Sequence, residues 1–470
     1  MKLFNTLGRK LEDFSPINDN EARIYTCGPT VYDYQHIGNY SGYIYWDVLV
    51  RLLKFKGYDV NRVMNITDVG HLVSDADEGE DKLEKGAHRE GKTAREVADF
   101  YTEDFKKNFK SLNLLEPSQF AKATDYIPQQ VEMVQTLIDK GFAYKTRQAI
   151  YFDVQKLDDY GKLTGQKLSD KEVGARSEVV TDSAKHHPQD FALWFFTIGR
   201  FANHEMHWSS PWGDGFPGWH IECSAIIHAI LGDPIDIHTG GVDHIGTHHT
   251  NEIAQTEAAF NKPLSRFWLH NNHMMVNGHK ISKSLGNGFT LQDLEKRGYS
   301  PMDFKMLVLQ SHYRSQSNFS WEALEAAKNR LKRFRNFAVR RFQEAQPAAG
   351  SFSPAMIVVS KFSTIPALEN DLNTPEALEK IEQFIEGVEN KSLADEKFLI
   401  GPFVKQIDDL FGLDLMSASD ISSDEKDLIN QREIARKDQD WQKSDELRDK
   451  LAEQGIGIND TPQGPVWYRL

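Results

Sequence analysis

His36-Ile37-Gly38-Asn39 stands between an apolar run, Ile24 to Thr26, and a segment whose apolar residues Ile44, Trp46, Val48, Leu49, Leu52, Leu53 and Phe55 recur at helical spacing. The pattern predicts a strand, a turn at the quoted stretch, and a helix. Gly38 puts no side chain where that helix begins, so a phosphate has access to unpaired backbone N–H groups, and His36 offers a ring N–H to the same anion. A second stretch, Lys280-Ile281-Ser282-Lys283-Ser284, follows an apolar strand, Met274 to Val276, and an Asn277-Gly278 turn, and it ends in Gly286-Asn287. Two lysines in a glycine-flanked loop suit a mobile clamp on a triphosphate whose charge must be stabilised as pyrophosphate leaves. Taken singly, each stretch is better read as a helix start or a solvated lysine loop. In this order, on these elements, the pair points to an ATP site.

Around these stretches the chain has 470 residues and a net charge of −14, enough length for two or three domains with substantial cores. No run of about eighteen apolar residues occurs, so no membrane span is expected. Met1 to Thr6 shows no apolar h-region or cleavage site, and the reading is of a cytoplasmic protein. The acidic balance argues against generic nucleic-acid affinity without excluding a partner met by cations clustered on one face. Cys27 and Cys223 are the only cysteines, too few for a disulfide framework.

Residues 1–20 read as a hairpin. Arg23 to Cys27, Gly38 to Lys56 and Asp59 to Ile66 then form a strand, a helix and a strand, for which a parallel sheet with its ligand at the carboxyl ends of the strands is expected. The charged stretch from Val69 to Gly91 reads as an exposed loop, and Thr93-Ala94-Arg95-Glu96 has capping-box form for a helix to about Leu112. The scheme that follows is a first half of a nucleotide-binding domain at 21–115, an insertion at 116–190 and a second half at 191–300. Helical regions follow at 301–350 and 351–425, joined at Gln346 to Ser351, with a small domain at 426–470. The helix from Trp321 to Arg341 separates an apolar side from a cationic one, Arg330, Lys332, Arg333, Arg335, Arg340 and Arg341, which reads equally as a solvated face or an RNA-backbone contact.

The two opening stretches resemble the HIGH and KMSKS signatures of class I aminoacyl-tRNA synthetases. Cys27 to Asp33, Gly218 to Ser224 and Asn251 to Gln255 narrow the resemblance to the cysteinyl-tRNA synthetase family, and it runs nearly end to end. It implies a Rossmann-like α/β catalytic domain with an inserted connective domain, followed by α-helical tRNA-binding domains. It also implies ATP with Mg2+, L-cysteine and tRNA(Cys) as partners of a monomer. Cysteine is activated as an adenylate and passed to the 3′ end of the tRNA. Residues 427–470 argue against a paralogue that passes activated cysteine to a small amine.

By the same resemblance His36, Asn39, Lys280 and Lys283 serve catalysis. ATP is held by His36, Gly38, Asn39, Lys280, Ser282, Lys283 and Ser284, and cysteine by Gly28, Thr67, Trp219 and His238. The chain departs from the family in carrying Asn39 for the second signature histidine, Ile281 for methionine, Gly70-His71 with an acidic insertion before Asp81-Lys82, and Asp243 to Thr247 before His248.

Cys27, Cys223, His248 and Glu252 are implied as the ligands of one zinc ion. On residues alone two cysteines are more often core hydrophobes; His248 and Glu252, four apart, share a helix face. His244 and His249 compete, but Ile253 lies four beyond His249, and His244 should precede the helix. Zinc explains the implied specificity: serine must be rejected by on the order of 10⁴, beyond what packing around a small side chain provides, and zinc prefers a thiolate. At the carboxyl terminus Trp441, Asp445 and Arg448 share a helix face, an aromatic plane beside polar groups suited to an unpaired base. The resemblance makes Arg436, Trp441, Asp445 and Asp460 anticodon contacts.

Overall fold

The computed structural model describes residues 1–470 except 71, 75–77, 166–181, 283–284, 344–361, 391–399 and 462–463, and gives only the backbone of 72–74, 78–80 and 82. Two compact units make up the chain. The first is Met1–Gly298 with Ser311–Asn318 and Glu369–Leu372; the second is Tyr299–Gln310, Phe319–Leu368 and Asn373–Leu470.

The first unit opens with an antiparallel hairpin, β1 (Lys2–Asn5) and β2 (Lys10–Asp13), followed by β3 (Glu21–Thr26), α1 (Ile37–Phe55) and β4 (Asp59–Ile66). The apolar positions of α1 are covered, and its one buried ion pair, Arg51 to Asp47 at 2.7 Å, is satisfied further by the Leu115 N–H donating to Asp47. Next come β5 (Leu72–Ser74), β6 (Glu78–Asp81), α2 (Lys82–Glu90) and α3 (Ala94–Ser111). The exposed loop expected from 69 to 91 is therefore corrected to a hairpin and a helix. Asp81 caps α2 by accepting from Leu83 and Glu84 N–H, Gly91 ends it at φ 63°, and Leu83 and Ala87, one turn apart, bury a face that the surrounding charges disguise. The Thr93–Glu96 capping box starts α3 as expected.

The chain continues through β7 (Gln119–Lys122), α4 (Ile127–Asp139), β8 (Ala143–Lys145), β9 (Ala149–Phe152), β10 (Phe191–Phe196) and β11 (Gly215–Pro217). It then forms α5 (Trp219–Ile230), β12 (Ile235–Gly241), α6 (His248–Phe260), β13 (Ser265–Asn271), β14 (Met274–Val276) and β15 (His279–Lys280). β13, β12, β3, β4 and β7 make one parallel sheet in that order. The first strand sits mid-sheet, and the chain winds to one side and later to the other, so a crevice opens at the carboxyl ends of β3 and β12. β11, β10, β9 and β8 form a separate antiparallel sheet. Strand pairing thus carries the parallel sheet to Lys122 and the antiparallel one to Pro217, whereas the sequence reading drew the insertion at 116–190.

The second unit is helical over Pro301–Leu309, Trp321–Ala338, Thr374–Glu389, Ile400–Phe411, Ser423–Lys437 and Trp441–Glu453, and ends in an antiparallel pair, Ile456–Thr461 with Gly464–Arg469. Leu324, Leu331, Phe334 and Ala338 bury one side of the second helix. On its cationic side Arg330 pairs with Glu382 at 2.9 Å and Arg333 with Glu389 at 2.9 Å. Arg341 donates to the carbonyl oxygens of Ala338 and Ala418. The linker expected at 346–351 lies outside the described residues.

Candidate active site and metal centre

A cavity of about 430 Å³ opens at the carboxyl ends of β3 and β12, and Gly28, His36, Thr67, Trp219, His248 and Lys280 are in its wall. At its mouth His36 caps α1: its Nδ1 accepts from Asn39 N at 3.2 Å, and its own N–H donates to Asn39 Oδ1 at 3.1 Å. Asn39 therefore completes a capping box, which explains a short amide where the signature has histidine. The Ile37 N–H donates to the Phe289 carbonyl at 2.8 Å. Two first-turn amides expected to be open to an anion are thus engaged within the fold.

Ile281 Cδ1 would lie 2.8 Å from a Cβ placed on Gly38, so the two signature stretches meet with the bare glycine under the isoleucine. Asn287 braces the lysine loop from within, donating to the Lys280 carbonyl at 3.1 Å and accepting from Ser282 N at 2.9 Å. Asn277 at φ 49° and Gly278 at φ 76° form the turn expected before it. Lys283 and Ser284 lie outside the described residues.

At the inner end Gly28 sits against β4, where a Cβ would stand 1.8 Å from the Asn65 carbonyl oxygen; its N–H donates to Asn65 Oδ1 at 2.7 Å. Thr67 donates to Glu222 Oε2 at 3.0 Å. Trp219 begins α5 and stacks on His248, ring centroids 4.2 Å apart.

Beneath the cavity one ligand atom from each of Cys27, Cys223, His248 and Glu252 lies within 4.8 Å of the others, all four residues being buried. Cys27 follows β3, Cys223 is on α5, and His248 and Glu252 are one turn apart at the start of α6. Residues 27, 238, 249 and 252 meet the same distance limit, so His249 shares the neighbourhood; its Nε2 is 3.3 Å from Cys27 Sγ.

Burial opposes ionisation of the Cys223 thiol, but the hydrogen bond to Cys27 and the neighbouring His248 outweigh it and bring it down to about 6. Burial, then the same hydrogen bond, pushes Cys27 well up. Burial also opposes charge on Glu252, but His238 and His248 overcome this and hold it far below the usual carboxylate range. Burial keeps His249 and His270 neutral. Glu252 Oε1 lies 2.6 Å from His248 Nε2 yet is buried without a well-formed hydrogen bond, as suits two donors converging on one ion. Two sulfurs, an imidazole and a carboxylate are a donor set that fits zinc.

His238 is fully buried behind this group. Its Nε2 lies 2.6 Å from Glu252 Oε2 and its ring is stacked on Trp268. Three buried residues escaped the sequence reading. The Nδ1 atoms of His220 and His248 are 3.0 Å apart, His270 Nε2 is 2.8 Å from His249 Nδ1, and Glu222 holds Thr67. His220 and Glu222 lie within the Gly218–Ser224 stretch; a histidine in a buried strand such as β13 was the available signal for His270.

Residues 13–329 match the family described as tRNA synthetases class I (C) catalytic domain, and 418–468 that described as cysteinyl-tRNA ligase anticodon binding domain. The chain belongs to the cysteinyl-tRNA synthetase family. The Cysteine--tRNA ligase of Treponema denticola is 41% identical, with 100% of both chains covered. Cysteine--tRNA ligase 1 of Burkholderia lata is 40% identical over 99% of this chain and 96% of its own. In fold, Mycobacterium tuberculosis methionyl-tRNA synthetase in complex with methionyl-adenylate is similar with a TM-score of 0.61 at 14% identity, over 84% of this chain and 92% of its own.

In the part matching the cysteinyl-tRNA synthetase anticodon domain, Asp460 takes Arg432 at 2.7 and 2.8 Å and Arg436 at 3.1 Å. Arg436 lies over the Trp441 ring at 5.7 Å, and Trp441 is 58% exposed, an open aromatic face beside fixed charge. Asp445 is 3.3 Å from Arg448 on the same helix face. Trp467 is buried in that domain's core with Ile429, Leu451 and Ile456.

Proposed function

We propose that the chain ligates L-cysteine to tRNA(Cys) at the expense of ATP, and that the cavity at β3 and β12 is where cysteine and Mg-ATP meet. The observation that carries this is the superposition of two features. The two signature stretches close over the cavity's mouth, and a sulfur-rich donor cluster lies at its inner end.

A carboxylate oxygen of cysteine attacks the α-phosphorus of ATP, the bond to the bridging oxygen breaks, and pyrophosphate leaves. No protein nucleophile is needed. His36, fixed by Asn39, donates a hydrogen bond to the phosphates, while Lys280 and, from outside the described residues, Lys283 and Ser284 offset charge on the departing group. Gly28, Thr67 and Trp219 orient the amino acid, and His238 acts through Glu252. The terminal ribose hydroxyl of the tRNA then attacks the adenylate carbonyl and AMP leaves. Zinc bound by Cys27, Cys223, His248 and Glu252 supplies the preference for a thiolate over a neutral hydroxyl. Arg436, Trp441, Asp445 and Asp460 read unpaired anticodon bases by stacking and edge hydrogen bonds.

Amino-acid-dependent exchange of pyrophosphate into ATP tests this reading, with cysteine against serine before and after zinc removal. Exchange with cysteine alone that disappears with the metal is expected. Absence of exchange from folded, zinc-loaded protein rejects the ligase, and equal exchange with serine rejects the selector.

A further inference from the structure

Helix α2 is stapled at one end to the turn that follows β10 and presses on the ATP cavity's rim along its side. Asp81 divides its carboxylate: Oδ1 accepts from Leu83 N at 2.7 Å and Glu84 N at 3.1 Å, and Oδ2 lies 2.9 Å from Nε2 of His204. Nδ1 of His204 is 2.9 Å from the Met206 carbonyl oxygen. A carbonyl has no proton to give and a carboxylate accepts, so both ring nitrogens donate and the imidazole is a cation. Burial opposes that charge, but the Asp81 bond and charge, the Glu84 charge and the Met206 carbonyl together outweigh it and raise the pKa. Among the described residues the other charge facing the ring is Glu84 at 3.8 Å; Phe216 stacks on it at 3.9 Å and Phe201 meets it edge-on. A second tie runs alongside, the Glu205 N–H donating to Glu84 at 2.7 Å and the Ala94 N–H to Glu205 at 3.1 Å.

Toward the cavity, a Cβ on Gly86 would be 3.0 Å from the Tyr32 carbonyl oxygen, and Arg89 lies 3.5 Å from Asp33. Glu90 accepts from Tyr101 OH at 2.5 Å, and Tyr101 packs edge-on against Tyr34 at 5.0 Å. Tyr32, Asp33 and Tyr34 line the cavity just before His36. We propose that Asp81 and His204 are positioning residues for ATP: they hold α2 against residues 32–34 and so fix the rim from which His36 meets the phosphates. This rests on the placement of ATP given above. Neither residue touches substrate, so their effect falls on ATP and not on cysteine, which sits at the opposite end of the cavity.

The test is pyrophosphate exchange by full-length zinc-loaded protein, with KM for ATP and for cysteine measured separately across pH. His204→Gln is expected to raise KM for ATP about fivefold, with KM for cysteine and kcat within about twofold. In the wild type, KM for ATP stays low below the folded pKa of His204 and rises as pH passes upward through it. Asp81→Asn keeps a capping side chain without the charge and moves that rise to lower pH. Arg89→Ala, at a half-exposed position that leaves folding intact, raises KM for ATP about two- to threefold. A folded His204→Gln with wild-type KM for ATP, or one in which both KM values rise together, overturns the proposal. If His204→Gln does not fold, an unchanged KM in Arg89→Ala does so. Wild-type protein without exchange overturns the ATP reading itself; normal wild-type exchange with unmoved variants overturns only the positioning role.

Discussion

Gly28 belongs to the cavity wall and Glu252 to the donor cluster beneath it, and each is set by a different constraint. The space beside Gly28 is filled by the backbone of β4, a strand hydrogen-bonded on both sides that cannot step away from a new methyl group. Gly28→Ala is expected to cost about 2–3 kcal/mol and to weaken cysteine binding, checked by denaturant unfolding and by KM for cysteine. Glu252 is constrained by charge: its two oxygens each lie 2.6 Å from a histidine nitrogen, and the carboxylate brings negative charge to a buried donor set. Glu252→Gln is nearly isosteric, so packing survives while His238 and His248 lose their anion. Zinc retained after dialysis against a weak chelator should fall about tenfold or more, measured by metal analysis, with near-wild-type circular dichroism. That Cys27 and Cys223 come together was legible only through resemblance, because nothing local to either says that β3 and α5 bring them side by side.

Helix α1 was legible almost to the residue, since its apolar period, its glycine and its position after a strand all agree with the fold. Helix α2 was not: among its described side chains the buried apolar ones are Leu83 and Ala87, and a stretch so rich in Asp, Glu and Lys reads as solvent-facing when the cap at Asp81 and the stop at Gly91 are not weighed. The limits of the antiparallel sheet were hidden for another reason. Which strand β10 joins depends on its pairing with β9, some forty residues earlier, and no periodicity in either records it. The function of Asn39 belongs to the same scale, since it emerges only once α1 has a first turn. Asn39→Ala removes one half of the capping box and is expected to lower stability by about 1 kcal/mol and raise KM for ATP, because His36 loses the amide that orients its backbone. Thermal unfolding and pyrophosphate exchange separate the two effects.

The whole molecule divides its proposed chemistry between its two units, and the division makes the metal's contribution testable by location. All four donors of the proposed zinc site lie within Met1–Gly298, and the Arg432–Arg436–Asp460 group lies within Asn373–Leu470. Zinc that binds the folded first unit and not its unfolded form adds stability there by mass action, about 4 kcal/mol when free zinc is a thousandfold above its dissociation constant. Hydrogen exchange read by mass spectrometry on full-length protein follows this segment by segment. On removal of zinc, amides of α5, β12 and the first turns of α6 should lose protection, because these elements carry or flank Cys223, His238, His248 and Glu252. Amides of Ser423–Lys437 and Trp441–Glu453 should keep theirs, their cover being the apolar group around Leu451 and Trp467. Equal loss in both units would place the metal's effect outside the cluster, and no loss in α5 and α6 would mean that the four donors do not hold it.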